Sequence, residues 1–228
     1  MKTKRVLKVS KAGTVEGLPL QARIISASRE LFLSRGFVRV TADEIAGCLG
    51  ISKATLYKSF ASKEEILQAV VEEITGEISA CIDEILGDGR LGFVEKLVDL
   101  FTYVVGRISQ FGPLFARDIQ KRAPWIWKEI EDFRRDKIEK NLGAIFRAGR
   151  EQGFFRGDVP MELLLRMFAF LLEEFVNPTA ILRSGRTPAE TFESVIKVFF
   201  QGILTDNGRR DFSARTPALF EPRKEGAT

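Results

Sequence analysis

A closely spaced series of helix-start signals between residues 41 and 65 restricts the fold of this chain more than any other feature. Thr41 and Glu44 have the spacing of a capping box, in which the hydroxyl accepts a backbone N–H and the carboxylate reaches back to the helix start. Gly50 predicts the end of that helix, and Ser52 predicts the cap of a second, short helix. The pattern therefore predicts a helix-turn-helix over residues 41–60.

The same helical pattern continues through the rest of the chain. Apolar residues recur at helical spacing, and glycine or proline separates the runs. The predicted helices span residues 20–35, 62–86, 93–108, 125–150, 161–176 and 187–204. No stretch shows the period-two alternation of a strand, so we predict an all-α fold.

We predict two helical domains with a tail at each end. A three-helix, N-terminal helix-turn-helix domain is expected over residues 18–63, and a larger C-terminal helical domain over residues 64–207. Residues 1–17 are expected to form a flexible basic tail, and residues 208–228 a loose C-terminal tail.

Positive charge is concentrated in the N-terminal quarter. Residues 1–63 contain twelve Lys or Arg against four Asp or Glu, whereas the remainder contains 23 against 27. The resulting net charge of +8 around the predicted motif is typical of a surface that binds a polyphosphate such as DNA. A basic segment that is merely solvated is the alternative, which charge alone does not reject.

The residue content excludes several enzyme classes. The chain has no histidine, which removes Ser-His-Asp chemistry and histidine metal ligands. Its tight acidic clusters, at residues 129–132 and 173–174, lack a second matched motif and are interpreted as solvated helix faces. We therefore expect no enzymatic activity, no metal and no cofactor.

Other features indicate a cytoplasmic protein. Cys48 and Cys81, the two cysteines, lie within apolar helical patterns and are expected to be small core residues. The basic N-terminus leads into no apolar segment of a signal peptide. The longest apolar run, residues 163–172, is too short to span a membrane.

The second helix of the motif presents residue types that suit the major groove of DNA. Lysine suits guanine acceptors or phosphate, a methyl group suits thymine, and a tyrosine hydroxyl suits phosphate. The outward residues are Lys53, Ala54, Thr55, Tyr57 and Lys58. Helical hairpins with solvated lysines are common, so this pattern alone leaves a module that binds only protein as an alternative.

A longer run resembles the DNA-binding domain of TetR-family transcriptional regulators. The resemblance extends from Ile24 to Leu67 and includes Thr41, Glu44-Ile45-Ala46, Leu49-Gly50-Ile51-Ser52-Lys53, Thr55-Leu56-Tyr57, Phe60 and Ser62-Lys63-Glu64-Glu65. It implies an all-helical homodimer in which three helices bind DNA and the C-terminal domain binds an inducer. The DNA contacts that it implies are Thr41, Ser52, Lys53, Thr55, Tyr57 and Lys63. Leu56 and Phe60 are expected to lie in the core.

Residues 161–176 are apolar on nearly every side of the predicted helix. Such a helix must be buried on two faces, one in the core of its own subunit and one against a partner. We predict a two-fold dimer joined by a four-helix bundle, two helices from each subunit. The predicted interface residues are Phe168, Leu172, Phe175, Phe192, Val195, Phe199 and Ile203. Burial of both helices inside a large monomer is the alternative.

The chain contains 19 phenylalanines, and a few of its aromatic residues are expected to line a pocket for a hydrophobic small molecule. The candidates are Phe101, Phe111, Phe115, Trp125, Phe146 and Phe168. With the resemblance, these features predict a ligand-responsive repressor that a hydrophobic molecule releases from a palindromic operator on double-stranded DNA. Activation, or a ligand required for DNA binding, is the alternative.

Overall fold

The computed structural model describes residues 17–108, 110–175 and 185–215, which form a helical protein. The helices are α1 Leu20–Arg35, α2 Ala42–Leu49, α3 Lys53–Ser59, α4 Lys63–Gly87, α5 Phe93–Ile108, α6 Pro113–Arg122, α7 Pro124–Lys137, α8 Gly143–Glu151, α9 Met161–Phe175, α10 Pro188–Ile203 and α11 Asp206–Arg215. A π-helical turn, Ile138–Leu142, joins α7 to α8. The described residues contain no strand, only an isolated bridge between Phe155 and Leu204, so the all-α prediction is confirmed.

Local capping interactions explain where several helices begin and end. The Thr41 hydroxyl accepts the N–H of Glu44 at 3.2 Å, and the Glu44 carboxylate accepts the N–H of Thr41 at 2.7 Å. Thr187 and Glu190 form a second capping box at the start of α10. Gly50 ends α2 with φ 65° and ψ 29°, a left-handed conformation that favours glycine. The helix starts predicted after Thr41 and Thr187 are therefore confirmed.

Two stretches of helix differ from the sequence-based expectation. The Gly112-Pro113 pair, which we interpreted as an interruption, begins α6. Proline fits the first position of a helix, because the N–H that it lacks would have no intrahelical partner there. The single helix expected over residues 125–150 is divided into α7 and α8 by the π-helical turn.

Helix α11 corrects the expectation that a loose tail begins at residue 208. Phe212 is 1% exposed, and its ring centre lies 6.5 Å from that of Phe200. One buried aromatic residue holds an otherwise polar helix, so no apolar stripe indicated it in the sequence. Residues 216–228 of the expected tail, and residues 1–16 of the expected basic tail, lie outside the described residues.

Two clusters of buried apolar side chains form the core, and α4 runs through both. The first cluster contains side chains from α1, α2, α3, the first half of α4, α6 and α7. The second joins the end of α4 to α5 and α8–α11, and is rich in phenylalanine. Ile66 and Val70 belong to the first cluster, so packing continues across the domain boundary predicted at residue 63. That boundary stays a prediction.

The two cysteines lie in different environments. Cys81 is half-buried on α4, whereas Cys48 is exposed on α2, so the expectation of a core position is wrong for Cys48. The buried residues of α2 are Ala42, Ile45 and Ala46, and Cys48 is not among them. In the described part of the chain, no helix combines the length and the apolar character needed to cross a membrane.

Candidate nucleic-acid interface

The helix-turn-helix is held by buried side chains on one face of each helix. α2 buries Ile45 and Ala46, and α3 buries Leu56, where the two helices pack with α1. Phe60, just after α3, is also buried, so the core positions predicted for Leu56 and Phe60 are confirmed. With this face held in the core, the opposite face of α3 is left in solvent.

Most of the predicted DNA-contacting residues lie on accessible surface. Thr41, Ser52, Lys53, Ala54, Tyr57 and Lys58 are exposed, and Thr55 is half-buried. Ser52 caps α3, because its hydroxyl accepts the N–H of Thr55 at 3.0 Å. The two hydroxyl oxygens of this pair lie 2.9 Å apart. The structure thus places Thr41 at the start of α2 and the others of this set at the start of α3 or along it, and their contacts with DNA stay a prediction.

Lys53 is paired with Asp43 of α2. Its amine lies 2.9 Å from the Asp43 carboxylate, and the two side chains are 50% and 69% exposed. The hydrogen bond that Lys53 donates to Asp43 raises the pKa of the lysine, so the amine is fully protonated near neutral pH. Because an exposed pair of this kind is weak, a DNA phosphate can replace Asp43 as the partner of the lysine.

Lys63 has an internal role that the sequence pattern did not indicate. Its amine donates to the carbonyl oxygens of Phe37 at 3.0 Å and Val40 at 2.9 Å, and lies 4.3 Å from the centre of the Phe37 ring. Burial lowers the pKa of this amine. Two of its three N–H donors tie the loop between α1 and α2 to the start of α4. The phosphate contact that the resemblance implies for Lys63 stays a prediction.

Arg39 is an additional cation near the motif that the sequence interpretation did not select. It is exposed in the loop just before Thr41, and the described residues contain no ion pair that involves it. Arg35, by contrast, lies 3.4 Å from the Glu44 carboxylate. The excess of basic residues ahead of the capping box was the available signal for Arg39.

A cavity of about 300 Å³ lies among α4, α5, α6, α7, α9 and α10. This volume is at the lower end of the range of about 300–1,000 Å³ that is usual for small-molecule sites. Its lining is apolar except for Thr75, Arg134, Lys137 and Asn141. The cavity therefore suits a mostly apolar molecule with a small polar part.

Four of the six aromatic residues predicted to line a pocket do line the cavity, namely Phe101, Phe111, Phe115 and Phe168. The other two were wrongly predicted. Trp125 is 51% exposed, and Trp127 lines the cavity in its place. Phe146 is buried outside the lining, in a phenylalanine cluster where its ring centre lies 5.3 Å from that of Phe155.

The predicted dimer-interface residues are mostly on the inner face of α9 and α10. Five of them are buried in the core of the chain itself and are not accessible to a partner, which corrects the prediction for Phe168, Leu172, Phe192, Phe199 and Ile203. Val195 is half-buried and Phe175 is exposed. The outer side of these helices has exposed apolar residues instead, namely Leu163, Met167, Phe170 and Val198, and Phe175 is exposed at the end of α9. We call these five residues the outer apolar face.

Comparisons with known proteins agree with the geometry of the motif. Residues 24–70 match the family described as bacterial regulatory proteins, tetR family. The uncharacterized HTH-type transcriptional regulator YvaF of Bacillus subtilis is 25% identical over 187 residues, which cover 82% of this chain and 97% of YvaF. The HTH-type transcriptional repressor BdcR of Escherichia coli is 36% identical over 89 residues, 39% of this chain and 44% of BdcR.

The fold also agrees with a solved structure. A TetR-family transcriptional regulator from Marinobacter aquaeolei superposes with a TM-score of 0.69 at 18% identity, and the match covers 89% of this chain and 100% of that one. At this level of identity the likeness shows the fold alone. The family match over α1 to α4 and the relatives confirm the expectation of a transcriptional regulator and not an enzyme. Residues 24–70 thus match the DNA-binding part of the tetR family, and the described helices share the fold of a TetR-family regulator.

Proposed function

We propose that this protein is a dimeric repressor whose two α3 helices bind a palindromic operator, and that a hydrophobic small molecule in the cavity releases it. The position of α6 is the main observation behind this proposal. α6 contributes Phe115, Ala116 and Ile119 to the cavity lining, and it also packs against α1 of the DNA-binding motif. A molecule bound in the cavity would therefore contact α6, which itself packs against α1 of the DNA-binding motif.

A hydrogen bond connects α6 to the loop that precedes α2. The Asp118 carboxylate accepts the backbone N–H of Val38 at 3.0 Å. Gly36 makes room for this contact, because a Cβ atom there would lie 2.7 Å from an Asp118 carboxylate oxygen. The same loop is tied to α4 by Lys63. A displacement of α6 would thus move the loop that positions α2 and α3.

The exposed end of the motif supports binding to double-stranded DNA. In the proposed complex, Lys53, Ala54 and Thr55 at the start of α3 approach base edges or phosphates, as the first residues of a recognition helix do. The other proposed contacts are with phosphate, from Thr41, Ser52, Tyr57, Lys58, Lys63 and the newly recognised Arg39. A DNA-binding role also implies a cytoplasmic location.

The outer apolar face supports a homodimer. Leu163, Met167 and Phe170 follow one another at intervals of four and three residues along one side of α9, and Phe170 is 62% exposed. Contiguous exposed apolar surface of this kind usually marks a protein interface. Pairing α9 and α10 with their symmetry mates gives the predicted four-helix bundle. The two α3 helices then need to be about 34–36 Å apart, one turn of DNA.

Release by ligand follows as a shift between two populations. A molecule that fits the cavity better when α6 is displaced favours the state in which the α3 helices are out of register with the operator. Its effect is limited by the ratio of its affinities for the two states. The relative BdcR is named a transcriptional repressor, and this supports repression over activation.

The proposal can be tested by selecting preferred sites from random duplex DNA and titrating binding with salt. We expect a palindromic site, and we expect the Lys53→Ala, Tyr57→Ala double variant to lose it. Removing one phosphate contact by lysine should lower the salt slope by about 0.9. Lys128→Ala is the matched control, because Lys128 is 74% exposed on α7, outside the motif.

Two results would contradict the proposal. One is binding to random duplex only, at the level of any basic protein, with no preferred site. The other is an effector that strengthens operator binding, which would make the protein a ligand-dependent DNA binder and not a repressor released by ligand.

A further inference from the structure

Asn141 is a buried polar residue without a complete set of hydrogen-bond partners. Its side chain is on the cavity wall, the residue is 8% exposed, and its amide nitrogen Nδ2 has no hydrogen-bond partner. A buried N–H group that lacks a partner costs stability, and native proteins contain few of them. An acceptor atom of a bound molecule would supply the missing partner.

The backbone around Asn141 is also unusual. Asn141 lies in the π-helical turn Ile138–Leu142, and turns of this kind occur frequently at functional sites. Arg134 and Lys137 precede it on the same helical stretch, and all three side chains line the cavity. The polar part of the wall is thus formed mainly by one continuous segment.

The charges around the cavity favour an anionic acceptor. Among the described residues, no Asp or Glu lines the cavity. The Lys137 amine lies 3.5 Å from the carboxylate of Asp83, which is 54% exposed. Arg134 interacts electrostatically with Glu131 and Glu173. These three acids lie outside the cavity lining. The Thr75 hydroxyl donates to the carbonyl of Val71 at 2.9 Å and is therefore already used.

We propose that the cavity binds an apolar molecule with a carboxylate, and that Asn141 donates to the carboxylate, with Arg134 and Lys137 beside it. An ionised carboxylate only accepts hydrogen bonds, and it accepts them more strongly than a neutral group does. The cavity of about 300 Å³ suits a medium-length hydrocarbon chain. This inference rests on the proposed function, in which the cavity holds the effector.

Decanoate is a suitable probe, and the fluorescence of Trp127 can report its binding. The chain has two tryptophans, so a Trp125→Phe background leaves the one that lines the cavity. In this background, Asn141→Leu should weaken decanoate binding at least about tenfold, as expected for loss of a hydrogen bond to a charged group. Lys140→Gln, at an exposed position of the same π-helical turn, should bind decanoate like the parent.

Two further readouts separate recognition from a structural role. Asn141→Leu should unfold at the same temperature as the parent or higher, because it removes a buried amide nitrogen that has no hydrogen-bond partner. Decylamine, which has the same chain length and a cationic end, should bind the parent at least about tenfold more weakly than decanoate, since amines supply donors in place of acceptors.

Each of three results would overturn the carboxylate site: Asn141→Leu binds decanoate like the parent, decylamine binds as tightly as decanoate, or Asn141→Leu unfolds earlier and weakens all probes equally. Operator binding tests the proposed function separately. If decylamine and not decanoate releases the operator, the proposed function stands and the carboxylate site falls. If decanoate binding depends on Asn141 but the chain binds no operator, the carboxylate site stands and the proposed function falls.

Discussion

Replacing Asp118 with alanine tests whether α6 holds the DNA-binding motif in place. Asp118 is buried at 8% exposure, and its carboxylate accepts the N–H of Val38 at 3.0 Å, 80 residues away in the chain. Alanine removes the acceptor and leaves the N–H of Val38 without that partner. We expect the loop before α2 to loosen and the protein to lose stability.

The size of the effect follows from the type of hydrogen bond. A hydrogen bond to a charged group contributes about 1.5–3 kcal/mol, and in a chain of this size each kcal/mol shifts the unfolding temperature by about 2–4 °C. Together these two ranges give a decrease in the unfolding temperature of about 3–12 °C. Because alanine also removes the cost of burying a carboxylate, we expect the lower part of that range, about 3–6 °C.

Thermal unfolding followed by circular dichroism measures the loss of stability of the whole protein. Hydrogen exchange at the Val38 amide measures the loosening of the loop before α2. Asp118→Asn is the matched control, because the asparagine oxygen still accepts the N–H and only the charge is lost. Its unfolding temperature should fall less than that of Asp118→Ala. Equal unfolding temperatures and unchanged exchange at Val38 in Asp118→Ala would refute the connection between α6 and the motif.

Two further predictions concern the dimer and the response to acid. Phe170→Glu should turn the dimer into a monomer in sedimentation, whereas Leu18→Glu, at a residue that is 49% exposed ahead of α1, should not; a dimeric Phe170→Glu variant would disprove the outer apolar face as the interface. Glu77 accepts hydrogen bonds from Arg29 and Arg107, which lower its pKa, so its stabilising contribution is present above the usual value of about 4.3 and is lost as the pH falls through the lowered value. Glu77→Gln should therefore unfold earlier than wild type at about pH 7, and the difference in unfolding temperature should shrink as the pH falls below about 4.3; a constant difference in unfolding temperature would contradict this.

The sequence pattern of α9 did not specify which of its apolar faces is buried in the core. The apolar run of α9 indicated that two faces must be buried, but Phe168 and Phe170 look alike in such a run. In the structure Phe168 is 2% exposed and Phe170 is 62% exposed. The choice depends on α10, which packs against one side of α9 and leaves the other side open. On α7, the packing against α4 and α6 likewise places Trp127 and not Trp125 on the cavity wall.

The sequence by itself determined where α1, α2 and α5 begin and end, because helix ends depend on residues three or four positions apart, such as Thr41 and Glu44. It also determined the motif at α2 and α3, whose spacing and turn are local. Only the tertiary structure decided that Lys63 binds the loop carbonyls, that Asp118 reaches Val38 and that Asn141 faces the cavity. These contacts join residues distant in the chain, and no local pattern specifies which of them meet once the helices have packed.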